Sequence, residues 1–73
     1  MIEIIFTRPD DNPEWERRIR VSPGAVPMPG NLIKFPDETG NIAQGTIYIV
    51  DNTLWSVIPD VGISQVEVRL IGV

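Results

Sequence analysis

The residues able to do chemistry in this chain are few, and they are defined first by what is missing. There is no histidine and no cysteine. The commonest general base and metal ligand is therefore absent, and so is the thiolate nucleophile. Ser22, Ser56 and Ser64 have no imidazole to activate them, and Lys34 is the single lysine. That composition rules out Ser-His and Cys-His arrangements. A carboxylate pair is the remaining route to acid–base work, with Asp10, Asp11, Asp37 and Glu38 as candidates. All four lie in turn-forming stretches, where acidic residues serve as solvated turn formers. A chain this short also lacks material for a deep pocket of the usual ~300–1,000 Å³. The expectation is a protein that is not an enzyme and uses no cofactor.

Oxygen ligands occur in two runs, Asp10, Asp11, Asn12 and Glu14, and then Asp37, Glu38 and Asn41. Neither has the D-x-D-x-D-G spacing that wraps a calcium ion, so no built metal site is expected. The remaining chemistry is recognition. Trp15 stands beside Arg17, Arg18 and Arg20, while Tyr48 and Trp55 sit on the longest apolar run. Large aromatics and arginine are the enriched anchors of protein interfaces. Trp15, Arg18, Arg20, Tyr48 and Trp55 are accordingly the expected binding residues, provided the arginines lie outward beside an exposed indole. Outward Ile5, Leu32 and Ile71 would add an apolar patch or an edge for strand addition.

The same Trp-Arg run permits a second reading, a small barrel that binds single-stranded nucleic acid. Against it, Glu14 and Glu16 interrupt the arginines, and ten acidic against six basic residues leave a net charge of −4. Backbone neutralisation needs several uncompensated positive charges. A third reading is a self-assembling subunit of a phage-like particle or larger complex, which marginal size and outward apolar residues would suit. A protein partner, with the chain a monomer or weak homo-oligomer, is the reading preferred.

These side chains must be positioned by strands. Seventy-three residues make one domain with one core. Ile2 to Arg8 alternates Ile2, Ile4 and Phe6 against Glu3, Ile5 and Thr7, the period of two that marks a strand, and Pro9 stops it. Glu14 to Val21 alternates again, with Trp15, Arg17, Ile19 and Val21 opposing Glu16, Arg18 and Arg20. A helix opened by Asn12 and Pro13 is the competing reading, but the run before Pro23 is too short to sustain one alone. Ser22 to Asn31 is rich in proline and glycine and reads as an extended connector, with Val26 and Met28 tucked against the core rim. Leu32 to Phe35 is a short strand with Ile33 and Phe35 inward, followed by an acidic loop from Asp37 to Asn41.

Gly45 to Ile58 is the organising stretch, G-T-I-Y-I-V-D-N-T-L-W-S-V-I. It is either one long strand bent by a bulge at Asp51-Asn52 or a hairpin folded back there. Pro59-Asp60-Val61-Gly62 is a further turn. Gln65 to Ile71 places Val66, Val68 and Leu70 inward and is expected to pair with the first strand. About five strongly bent antiparallel strands with polar turns give an all-β domain, and closure into a small barrel covers its apolar face.

At V-P-M-P-G-N-L-I-K-F the pattern resembles SH3-like barrels, through Pro29, Gly30, Asn31, Ile33 and Phe35. The downstream Gly45, Tyr48 and Val50 and the closing Val66, Val68 and Leu70 fit the same pattern. The whole looks like the short barrels of bacterial or mobile-element proteins. The resemblance implies a fold and no activity. No run approaches the ~18–20 apolar residues that span a bilayer, and M-I-E-I-I-F-T-R lacks the build of a signal peptide. The expectation is a soluble cytoplasmic protein.

Overall fold

A computed structural model describes residues 1–35 and 47–72. It contains β1 (Ile2–Arg8), β2 (Asn12–Val21), β3 (Leu32–Lys34), β4 (Ile47–Ile58) and β5 (Gly62–Gly72), with a 3-10 turn at Pro23–Ala25 between β2 and β3. The expected acidic loop, Asp37 to Asn41, and Gly45 of the SH3-like pattern lie outside the described residues. The strands form one sheet in the order β2-β1-β5-β4-β3, curled into a half-barrel.

Neighbours in sequence pair antiparallel, except that β2 and β3 do not pair. The first and last strands join in the middle, Glu3 to Thr7 against Gln65 to Arg69. The cyclic order is therefore that of an up-and-down barrel opened at the β2/β3 seam. The expectation was of antiparallel strands throughout, but the β1–β5 pairing is parallel. Parity requires it: when five strands alternate in direction, the first and fifth point the same way.

The concave face holds the core. Ile2, Ile4 and Phe6 of β1, Tyr48 and Val50 of β4, and Val66, Val68 and Leu70 of β5 are all buried, and Val26 of the connector closes one end. Strand periodicity places these inward, because Cβ atoms two apart share a face. Glu14 to Val21 is strand, and β2 begins two residues earlier, at Asn12. Pro13 is tolerated because β2 is an edge, where no ladder donor is required of it.

Asp51-Asn52 is a bulge and not a turn. Val50 pairs with Leu70 and Asn52 with Arg69, so β4 runs on to Ile58 with one extra residue. The hairpin back into β5 comes at 59–61, where Asp60 has φ 67° and Gly62 φ 105°. A second turn starts β3: the Asn31 amide donates to the Met28 carbonyl (3.0 Å), with Pro29 and Gly30 (φ 93°) at its centre. Proline followed by a positive-φ glycine is the signature of a type II turn. The Met28 amide in turn donates to Asn31 Oδ1 at 2.8 Å.

Two placements differ from expectation. Met28 is 60% exposed and does not tuck under the rim, since the turn carries it outward, whereas Val26 does pack inward. Ile5 points to the convex face yet is only 9% exposed. It sits in register between Arg18 and Glu67, whose long side chains flank it. Ile5 therefore adds nothing to an outward apolar patch.

Candidate protein-contact surfaces

Three groups of side chains carry the recognition chemistry, and the fold puts each in a different place. The first fills the β2/β3 seam. Trp15 projects from β2 on the concave face and stacks on Tyr48 (5.9 Å between centroids, 29° between planes). Phe35, just past β3, meets Phe6 edge-on at 5.2 Å, Trp15 at 5.6 Å and Tyr48 at 5.9 Å. Offset and edge-to-face geometries are the favoured ones for aromatic quadrupoles. The two edge strands are thus joined by rings where backbone hydrogen bonds are lacking.

Two arginines sit over these rings. The Arg8 guanidinium lies 5.0 Å from the Tyr48 ring centre and 5.5 Å from that of Trp15, and Arg17 lies 5.0 Å from that of Phe35. These are cation–π distances. Asp11 holds Arg8 in place by a two-point contact, Nε to Oδ1 at 3.2 Å and Nη2 to Oδ2 at 2.6 Å. The hydrogen bond from Arg8 keeps the Asp11 carboxyl below its ordinary pKa, with the arginine charge adding to the effect. Tyr48 is 1% exposed and Trp15 is half-buried. Both belong to this packed seam.

The second group covers the convex face of β2, β1 and β5. Arg18 contacts Glu16 and Glu3, each at 3.2 Å, and Gln65 donates to Glu3 at 2.9 Å. Thr7 donates to Glu67 at 3.0 Å, and Arg69 pairs with Glu67 at 3.1 Å. Glu16 first and then Glu3 raise the pKa of Arg18 further. Arg20 is exposed on this same face and makes no ion pair among the described residues. Trp15 and Arg18 project to opposite sides of β2, so the five expected binding residues do not form one strip.

The third group is the far half of the β4–β5 hairpin. β3 flanks β4 only over Ile47 to Ile49, with Gly30 and Asn31 bonding to Val50 beyond it, and β1 flanks β5 only from Gln65. Among the described residues this far half is a ribbon bordered by β1 as far as Gln65 and two-stranded only over Val57–Ile58 and Gly62–Ile63. It carries Leu54, Trp55 (39% exposed), Val57 (65%), Ile58, Val61 (75%) and Ile63. Trp55 lies opposite Val66 and so shares the concave face at the margin of the core. Its indole nitrogen donates to Thr53 Oγ1 at 3.2 Å. No charged residue occurs between Asp51 and Asp60.

Of the five expected residues, the structure joins Trp15 and Tyr48 in the seam, puts Arg18 and Arg20 on the convex face, and places Trp55 on the ribbon. Sequence reasoning did not single out Arg8 and Arg17 as ring partners, nor Leu54, Val57 and Ile63 as exposed. The ribbon did leave a trace: L-W-S-V-I is apolar on both strand parities, more than one buried face can absorb. No family model, curated protein or solved structure matches the chain. No helix among the described residues is long and apolar enough to cross a membrane.

Proposed function

We propose that this chain is a non-catalytic interaction module that binds a protein partner through the β4–β5 ribbon, with Trp55 as the central anchor. The observation that carries this reading is the run of exposed apolar side chains from Leu54 to Ile63, along a stretch whose outer edge no described strand covers. An apolar patch rimmed by polar residues marks an interaction site, and a tryptophan at its centre is the commonest kind of hot spot. Arg20, exposed and unpaired among the described residues, remains available at a second, polar surface. The SH3-like pattern bears on architecture alone within this reading.

A photo-crosslinking residue at position 57 tests it in the native cell, with exposed position 14 as the control. A discrete protein adduct from position 57, weakened by Trp55→Ala, is the expected result. Nucleic acid as the main adduct, or no adduct from position 57, would overturn the reading.

A further inference from the structure

The two edges of the sheet are both open among the described residues, and they are built in opposite ways. The β2 edge carries Pro13, Glu14, Glu16, Arg17, Arg18 and Arg20. Proline and charge are the standard means of blunting an edge against unwanted pairing. The β4 edge runs N-T-L-W-S-V-I from Asn52 to Ile58, with no charge, no proline and no glycine. Beyond Val50 nothing described bonds to its outer side. A long, uncharged edge rich in aromatic and β-branched residues is a template for another strand.

We infer that the strand it receives is β4 of a second copy of this chain, paired antiparallel about a two-fold axis at Trp55. The inference rests on the reading of the ribbon as the contact surface and names its occupant. Such an isologous contact must be self-complementary, and this segment is. With Trp55 opposite Trp55 of the second copy, Leu54 meets Ser56, Thr53 meets Val57 and Asn52 meets Ile58. Asp51 falls opposite Pro59, so no carboxylate faces another across the ladder. Residues directly opposite share a face. Thr53, Trp55 and Val57 of both copies thus form one continuous concave apolar surface, and two sheets become one. Each copy carries a net charge of −4. The charge-free segment is where two such chains approach with least repulsion.

Sedimentation equilibrium on the full chain, from about 1 µM to about 1 mM, reads the association directly. The expected result is a reversible rise from 8.2 kDa to twice that mass, without larger species. Trp55→Lys sets two ammonium groups together on the axis and should weaken the dimer at least about tenfold. Ser56→Lys, at an exposed position that cannot disturb the core, should do the same, while Glu14→Lys, exposed on the β2 edge, should leave it unchanged. A monomer throughout, an open-ended polymer, or a dimer indifferent to both lysines would overturn the inference. The position-57 crosslink separates the two claims. A monomer that crosslinks to a different protein removes the self-pairing and leaves the interaction reading standing; a monomer with no crosslink removes both.

Discussion

Replacing Phe35 by alanine is the sharpest perturbation of the seam, because this ring touches Phe6, Trp15, Tyr48 and Arg17 together. Buried Phe→Ala changes cost about 3–5 kcal/mol. Phe35 is only partly buried, which takes the area contribution below that range, and the lost aromatic pairs, at about 0.5–1.5 kcal/mol each, bring the total back to its lower end. An overall loss near 3 kcal/mol follows, equivalent to a fall in Tm of about 12–24 °C for a domain of this size. Phe35→Leu keeps volume and loses the ring contacts, so about 1–1.5 kcal/mol is expected. Leu32→Ala, at an exposed position of the neighbouring strand, should cost less than about 0.5 kcal/mol. Urea unfolding monitored by far-ultraviolet circular dichroism measures all three. A double-mutant cycle with Trp15→Phe then isolates the ring–ring coupling. If Phe35→Ala costs no more than Leu32→Ala, rings do not hold the two edges together and the seam is misread.

Other outcomes follow from the same contacts. Asp11 has a depressed pKa in the folded state, so its contribution to stability is complete above the unfolded carboxylate range, near pH 3.9, and is lost as pH falls through the lower folded value. Asp11→Asn should flatten that part of the stability–pH profile; an unchanged profile would show that Arg8 is held by something else. Gly62→Ala meets no atom within 4 Å yet must adopt φ 105°, so a purely conformational cost of about 1–3 kcal/mol is expected in thermal unfolding. Asp60→Gly, at φ 67°, should be nearly neutral, because relieved strain offsets the freer unfolded chain. In single-tryptophan variants at low micromolar concentration, acrylamide should quench Trp55 more readily than Trp15. Equal shielding would place both indoles in the core and remove Trp55 as an anchor.

Much of the concave face was legible in the sequence, and for one reason. Ile2, Ile4 and Phe6, like Val66, Val68 and Leu70, follow the period of two, and no tertiary detail is needed to see which way they point. Pairing of the last strand with the first followed from the same logic of closure. Asp51-Asn52 was ambiguous because a bulge and a tight turn use the same residues, and only the eleven-residue partner β5 decides between them. Ile5 was misjudged because burial on the convex face depends on side chains arriving from β2 and β5, which no single strand reveals. Trp15, Phe35 and Tyr48 lie far apart in the chain and meet only when the sheet curls. The exposure of Val57 and Ile63 depends on where β1 and β3 stop, a matter of register and not of composition.

Amide hydrogen exchange on about 1 µM protein, where an edge-paired dimer should be largely dissociated, bears most directly on the ribbon standing outside the core. Segments covering Val57 to Ile63 should exchange at least about tenfold faster than those covering Ile4 and Val66 to Leu70, since the two-stranded end of the hairpin opens without global unfolding. Protection of Val57 to Ile63 equal to that of the central strands at this dilution would mean the end of the ribbon is packed within the fold, and would contradict its role as the contact surface.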